Sequence, residues 1–317
     1  PLGALILGYT FLLKMMSHMQ SRLGPMDPGG FHGWFQLVGD GIKFLQKEDI
    51  MPAESDRRVF AIAPAIVVIS TFLIFLVIPM GPRLVVKDLD VGVFYALAVS
   101  SLSVIGVLMA GWASANKFAL LGALRAAAQL IAYELPLLLA VVGVVVQAGT
   151  MNLQGIVRAQ QAGSIFGVDF IGNPFILTQF VGFLLFLIPA QAELTQTPFD
   201  MPVAESELVA GFMVEYTGFR FLFFFIGEFG TAFAFAALAA TLFLGGWALP
   251  GVHGGMADLL GPFVLFVKLM FVAFLMFWVR FTYPRLREDQ LQALAWKFLI
   301  PIALLNIIVT GILKVAI

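Results

Sequence analysis

The stretch AELTQTPFDMPVAESELVAGFMVEY, residues 192–216, carries Glu193, Asp200, Glu205, Glu207 and Glu215 and no Lys, Arg or His. Five carboxylates without bases can exchange protons, bind a cation, or simply face water, and a solvated acidic face is the commonest meaning of a charge run. Here Phe199, Met201, Pro202, Val203, Leu208, Val209, Phe212 and Met213 are interleaved with the acids. A solvated loop needs no such partners, whereas the wall of a watery cavity at membrane depth does. The prolines of TPFDMP oppose regular helix, and the spacing after them predicts an amphipathic helix over 203–216.

Three more ionisable residues stand inside apolar runs: Glu134 in LIAYELPLLLA, Glu228 in FFFIGEFGTAF, and Lys268. Glu134 lies about 11 residues into its run, roughly 16 Å at 1.5 Å per residue, and Glu228 about nine. A mid-span charge is costly and marks a functional site by default. A carboxyl group in an apolar setting favours its neutral form, so burial and proton exchange are compatible. The bland alternative is a neutral acid hydrogen-bonded to a neighbouring helix.

The elements that must position these groups are membrane helices. Of the 317 residues, 61% are hydrophobic and 12% charged, with 33 Phe and a formal net charge of −1. That balance implies no nucleic-acid or acidic partner. Runs able to cross roughly 30 Å of hydrocarbon as about 20 helical residues recur along the chain, which predicts an all-α integral membrane protein. We read one domain over 1–317 with eight spans at 1–16, 59–80, 91–111, 123–148, 174–192, 219–247, 259–281 and 296–316. The first run is short for a span, and the expectation is that natural residues precede it.

Basic residues alternate between the two sides. The loops after spans one, three, five and seven, with their flanks, hold Lys14, Arg22, Lys43, Lys47, Arg57, Arg58, Lys117, Arg125, Arg220, Arg280, Arg285, Arg287 and Lys297; the other side holds Arg83, Lys87, Arg158 and Lys314. By the positive-inside rule the first group is cytoplasmic and both termini face out. In the long first loop, apolar residues between Phe31 and Phe44 interleave with Gln36, Asp40 and Lys43, predicting a short amphipathic helix at the interface.

Other chemistries find no residues. There is no Cys, which removes Cys-ligated iron–sulfur clusters, CxxC chemistry and disulfides from this chain. His18, His32 and His253 lack metal-ligand spacing, and no phosphate-binding glycine motif occurs. Gly245 and Gly246 suit close helix packing. The bases of VRFTYPRLREDQLQALAWK serve either topological anchoring or docking of a soluble partner.

The segments SRLGP, FQLVGDGIKFLQKEDI, GWASANKFALLGALRAAAQLIAYEL, AELTQTPFDMPVAESELVAGFMVEYTG, LFLGGW and RFTYPRLREDQLQALAWKFLIP closely resemble the H-type (ND1-like) membrane subunit of respiratory complex I. The match runs in order from about residue 10 to 312. The resemblance implies a subunit of a proton-pumping quinone oxidoreductase of a bacterial inner membrane. In that family the subunit is the membrane foot that meets a peripheral arm carrying iron–sulfur clusters, and it has antiporter-like membrane neighbours. The substrate is a quinone, ubiquinone or menaquinone, and no cofactor or metal is bound in this chain. Carried over by position, Glu134, Glu193, Asp200, Glu205, Glu207, Glu215 and Glu228 match acids on the path from the quinone cavity into the membrane. Arg22, Gln36, Asp40, Lys43 and Phe199 match the quinone tunnel. Lys47, Glu48, Asp49, Arg280, Arg285 and Arg287 match surfaces that meet partners.

Three departures stand out. Gln196 occupies the place of an Arg before TPFD, Val203 the place of a Glu, and GPMDPGG lacks the first loop's usual Arg. They point to a divergent bacterial branch, with an electron donor other than NADH as one possibility. The competing readings are the equivalent subunit of a membrane-bound hydrogenase without quinone, a stand-alone cation/proton transporter, and a purely structural anchor.

Overall fold

Helix starts in this chain follow the residues that can hold free amides. Asp56 accepts from the backbone N–H groups of Arg58 and Val59 at 3.2 and 3.4 Å, Asn116 from Phe118 at 2.8 Å, and Asn152 from Gly155 at 2.7 Å. Each supplies an acceptor that the first helical turn lacks. The computed structural model describes residues 2–163, 173–249, 252 and 255–316; His253 lies outside them. Its helices are α1 (2–19), α2 (Gln36–Gln46), α3 (Arg57–Ile74), α4 (Gly92–Ala113), α5 (Lys117–Ala148), α6 (Leu153–Ala162), α7 (Phe180–Glu193), α8 (Gly218–Phe243), α9 (Gly255–Thr282) and α10 (Glu288–Ala316). No strand occurs among the described residues. Six helices, α3, α4, α5, α8, α9 and α10, are long and apolar enough to cross a bilayer, and the protein is an all-α membrane protein.

Several boundaries differ from the sequence expectation. The run expected at 59–80 leaves helical geometry after Ile74. The one expected at 123–148 begins six residues earlier, at Lys117, because Asn116 provides the cap. The run at 296–316 starts at Glu288 and keeps its helical course through a wider π-type turn at Leu294–Leu299. The run at 174–192 is broken at Gln179, whose backbone lies at φ −119°, ψ 40°. The residue at the break is anchored by its side chain: the Gln179 side-chain amide donates to Thr310 Oγ1 at 2.5 Å and accepts from Asn306 Nδ2 at 2.9 Å.

The helix expected over 203–216 does not form. Only Glu205–Leu208 makes a turn, followed by a tighter turn at Gly211–Met213. Val209 and Gly211 take positive φ, 65° and 54°. The Gly211 backbone lies so close to Gly122 of α5 that a Cβ on Gly122 would sit 2.7 Å from its Cα. Tertiary packing at this point outweighs helix propensity.

α5 packs against α4, α7 and α10, and α8 against α3 and α9. Lipid tails are as apolar as the helices, so association rests on close packing and interhelical hydrogen bonds. Small residues provide the closeness. Gly111 of α4 meets Ala119 and Ala123 of α5, while Gly227 and Gly230 of α8 meet Val67 and Thr71 of α3. Thr71 and Thr231 share a hydrogen bond of 2.9 Å across that seam.

Candidate functional site

Between α3, α4, α5, α8 and the end of α7 lies a cavity of about 70 Å³. Its polar lining comes from Ser100, Ser103, Glu193, Thr195, Glu228 and Thr231, and its apolar lining includes Val67, Phe212 and Phe224. A water needs on the order of 10–15 Å³ of such space and two to four polar partners, so the cavity can hydrate both carboxyl groups. Glu134 of α5 lies against the Ser101 hydroxyl and within electrostatic reach of Glu193. Two acids far apart in the chain, Glu193 and Glu228, therefore line one cavity, and a third, Glu134, acts on Glu193.

The segment 194–200 is held over this cavity from inside. The Gln129 amide of α5 donates to the carbonyls of Ala192 and Phe199, each at 2.8 Å, and Gln191 donates to Thr197 O at 3.2 Å. Phe199 is buried with its ring edge-on to Tyr133, centroids 5.3 Å apart. Gln196 is buried and donates through Nε2 to Glu228 Oε1 at 2.7 Å; Arg280 Nη1 of α9 reaches the same oxygen at 3.4 Å.

The acid row lacks bases in sequence but not in space. Glu207 is held by Arg125 Nη1 at 2.6 Å and Arg285 Nη2 at 2.9 Å, and Arg125 also faces Glu288 at 3.8 Å. The Arg125 hydrogen bond first, with the charges of both guanidinium groups, keeps the exposed Glu207 carboxyl below its ordinary range. Glu215 accepts from Asn116 Nδ2 at 2.6 Å. The absence of counter-charges in residues 192–216 is thus corrected at Glu207 by helix α5 and the segment before α10. Asp200 is half-buried, and the side chain of Glu205 lies outside the described residues.

The first-loop residues form a separate group. Gln36 donates to Asp40 at 3.2 Å, Lys43 reaches Asp40 at 3.4 Å, and Arg22 donates to Gln20 at 2.8 Å. No described hydrogen bond or ring contact joins them to Phe199. Leu37 and Phe44 face the bundle, at Gly8 and at Phe221, while Trp34, Val38, Ile42 and Leu45 are exposed. Asp49 pairs with Arg220 at 3.2 Å, and Glu48 O accepts from Thr217 Oγ1 at 3.1 Å. Lys47 lies near the Phe44 ring, and exposed Arg287 contacts Asp289 at 3.1 Å. Lys268 meets no carboxylate in the described bonds; its ammonium donates to the carbonyls of Gly246 and Ala248 at 2.9 and 2.7 Å.

Sequence reasoning passed over Ser100, Ser103, Gln129 and Thr231, and it read Gln196 only as a departure. Gln129 left one signal, an amide among alanines five residues before Glu134.

A family model described as NADH dehydrogenase matches residues 2–311. The H-type subunit of the NADH-quinone oxidoreductase of Anoxybacillus flavithermus is 46% identical over 314 residues, taking in 99% of this chain and 90% of that one. The corresponding chain of Geobacillus kaustophilus is 45% identical over 322 residues, with 99% and 93% covered, and that of Bacillus thuringiensis 44% over 313, with 99% and 90% covered. The agreement spans the helices and the connecting segments that carry the acids, and the chain belongs to the NADH dehydrogenase family, in its H-type complex I branch.

Proposed function

We propose that this chain couples quinone reduction to proton translocation in a complex I-type NADH-quinone oxidoreductase. The observation that carries the reading is the shared cavity: Glu193 and Glu228 line one polar space inside an apolar bundle, with Glu134 in electrostatic reach. Such a cluster takes up, passes or releases a proton when the charge at its mouth changes, because each carboxyl responds to its neighbour's charge. Arg280 on Glu228 and the Arg125, Glu207, Arg285 group connect this cavity to the basic face of the protein. Asp200, Glu205 and Glu215 complete the path toward that face.

An apolar groove of about 500 Å³, lined by Gly3, Phe72, Phe75, Ile226 and Phe233, backs onto the acid cavity across Gly227. Its lining suits a quinone tail, which supports a share in the quinone tunnel alongside Arg22, Gln36, Asp40, Lys43 and Phe199. The six long helices, with α1 and α7, give eight membrane segments, and α2 lies at the interface. The basic loops and the 194–217 segment then face the cytoplasm of a bacterial inner membrane. Lys47, Glu48, Asp49, Arg285 and Arg287 face the peripheral arm, whose subunits carry the iron–sulfur clusters, and antiporter-like subunits continue the proton path in the membrane.

The test is quinone-linked proton pumping by the intact complex carrying Glu193→Gln or Glu228→Gln. The expected result is a loss of pumping per quinone reduced. Full coupling in both variants overturns the proton-path role.

A further inference from the structure

We propose that Gln196 is the positioning residue that lets Glu228 exist in both protonation states: its amide donates to the carboxylate and, turned over, accepts from the carboxylic acid. The inference rests on the reading of Glu228 as a proton-path group. Nε2 of Gln196 donates to Glu228 Oε1 at 2.7 Å, while the amide oxygen is buried and accepts no hydrogen bond among the described residues. The last side-chain torsion of Gln is broad and two-fold, so a half turn places Oε1 where Nε2 stands. That turn breaks no hydrogen bond but the one to Glu228.

The need for an acceptor comes from the other neighbours of Glu228. Arg280 of α9 reaches the same carboxyl oxygen at 3.4 Å, and a guanidinium has five donors and no acceptor. It satisfies the carboxylate and can do nothing for an acid O–H. Glu193 at the end of α7 is the other ionisable group lining the cavity; α3, α4 and α8 bring Val67, Ser100, Ser103 and Thr231, which are uncharged. Thr231 is already joined to Thr71 at 2.9 Å. Of the two side chains hydrogen-bonded to Glu228 among the described residues, Gln196 is therefore the one that can change from donor to acceptor. The Arg that the family resemblance leads one to expect at this position could only donate, and would hold Glu228 charged beside Arg280.

The experiment is infrared difference spectroscopy of the intact complex between acid and alkaline pH, with the protonated Glu228 carbonyl band assigned by its loss in Glu228→Gln. In Gln196→Leu the band is expected to move to higher wavenumber, as a carboxyl without its acceptor. In Gln196→Arg it is expected to vanish at the pH where the native complex shows it. A band unchanged in position and pH range in both variants overturns the proposal, as does the absence of any band that Glu228→Gln removes. If Gln196→Leu does not assemble, Gln196→Arg decides alone. Full pumping in the Glu193→Gln and Glu228→Gln complexes would overturn the proton-path reading and leave the Gln196 bands to settle this one.

Discussion

Replacing Gln129 by Leu should free the segment that carries the candidate site without removing any of its acids. Leu is close to Gln in size, so the change is chiefly one of hydrogen bonding. Gln129 donates to Ala192 O and Phe199 O at 2.8 Å each. Ala192 O keeps a second donor, the N–H of Thr195 at 3.1 Å, whereas no other described hydrogen bond reaches Phe199 O. The loss is about 1 kcal/mol net for the first bond and, at Phe199, about 1–3 kcal/mol for a buried acceptor left without a donor. The total is about 2–4 kcal/mol. Since about 1.4 kcal/mol is a factor of ten, local opening of residues 193–208 should rise roughly 30- to 1,000-fold. Hydrogen–deuterium exchange on the assembled complex, followed in peptides over that range, measures it, with peptides from α9 as the internal control. Unchanged protection of 193–208 in an assembled Gln129→Leu complex would refute the claim that this amide holds the segment in place.

Three further outcomes follow from the geometry. Gly122→Ala places a Cβ 2.7–2.9 Å from the Gly211 and Phe212 backbone; such overpacking costs about 1–3 kcal/mol, so the complex should denature at a lower temperature, and Gly122→Ser should do no better. Glu207 ionises below its ordinary value of 4.5, so its contribution is fully present above that pH and disappears as pH falls below it. Thermal stability followed from neutral to acid pH should therefore fall less in Glu207→Gln than in the native complex, and added salt should narrow the difference. Tyr216→Phe keeps the stack on Phe60, with centroids 4.0 Å apart, but removes the hydrogen bond to Phe60 O at 3.1 Å. A loss of about 1 kcal/mol in stability is expected, with coupling unchanged in the pumping assay.

Composition and periodicity were sufficient for the all-helical membrane class, because apolar runs of spanning length are long and local signals. Glu134 and Glu228 could be singled out for the same reason, since a charge inside such a run is conspicuous wherever the helix goes. The caps at Asp56, Asn116 and Asn152 are local too, and the residue types that form them are visible in the chain.

What the chain order could not reveal depends on neighbours far away in sequence. Residues 203–216 contain the spacing of an amphipathic helix, yet the close approach of Gly122 to Gly211 leaves room only for turns. Gln179, at the break, is anchored by Asn306 and Thr310 from α10, more than 120 residues away. Residues 192–216 carry five acids and no base, a true statement about sequence that folding reverses at Glu207, where Arg125 and Arg285 arrive from other elements. The pairing of Gln196 with Glu228 is of the same kind. An amide's role depends on whether it faces a donor, an acceptor or a group that can be either, and only the packing of the 194–200 segment against α8 and α9 decides that.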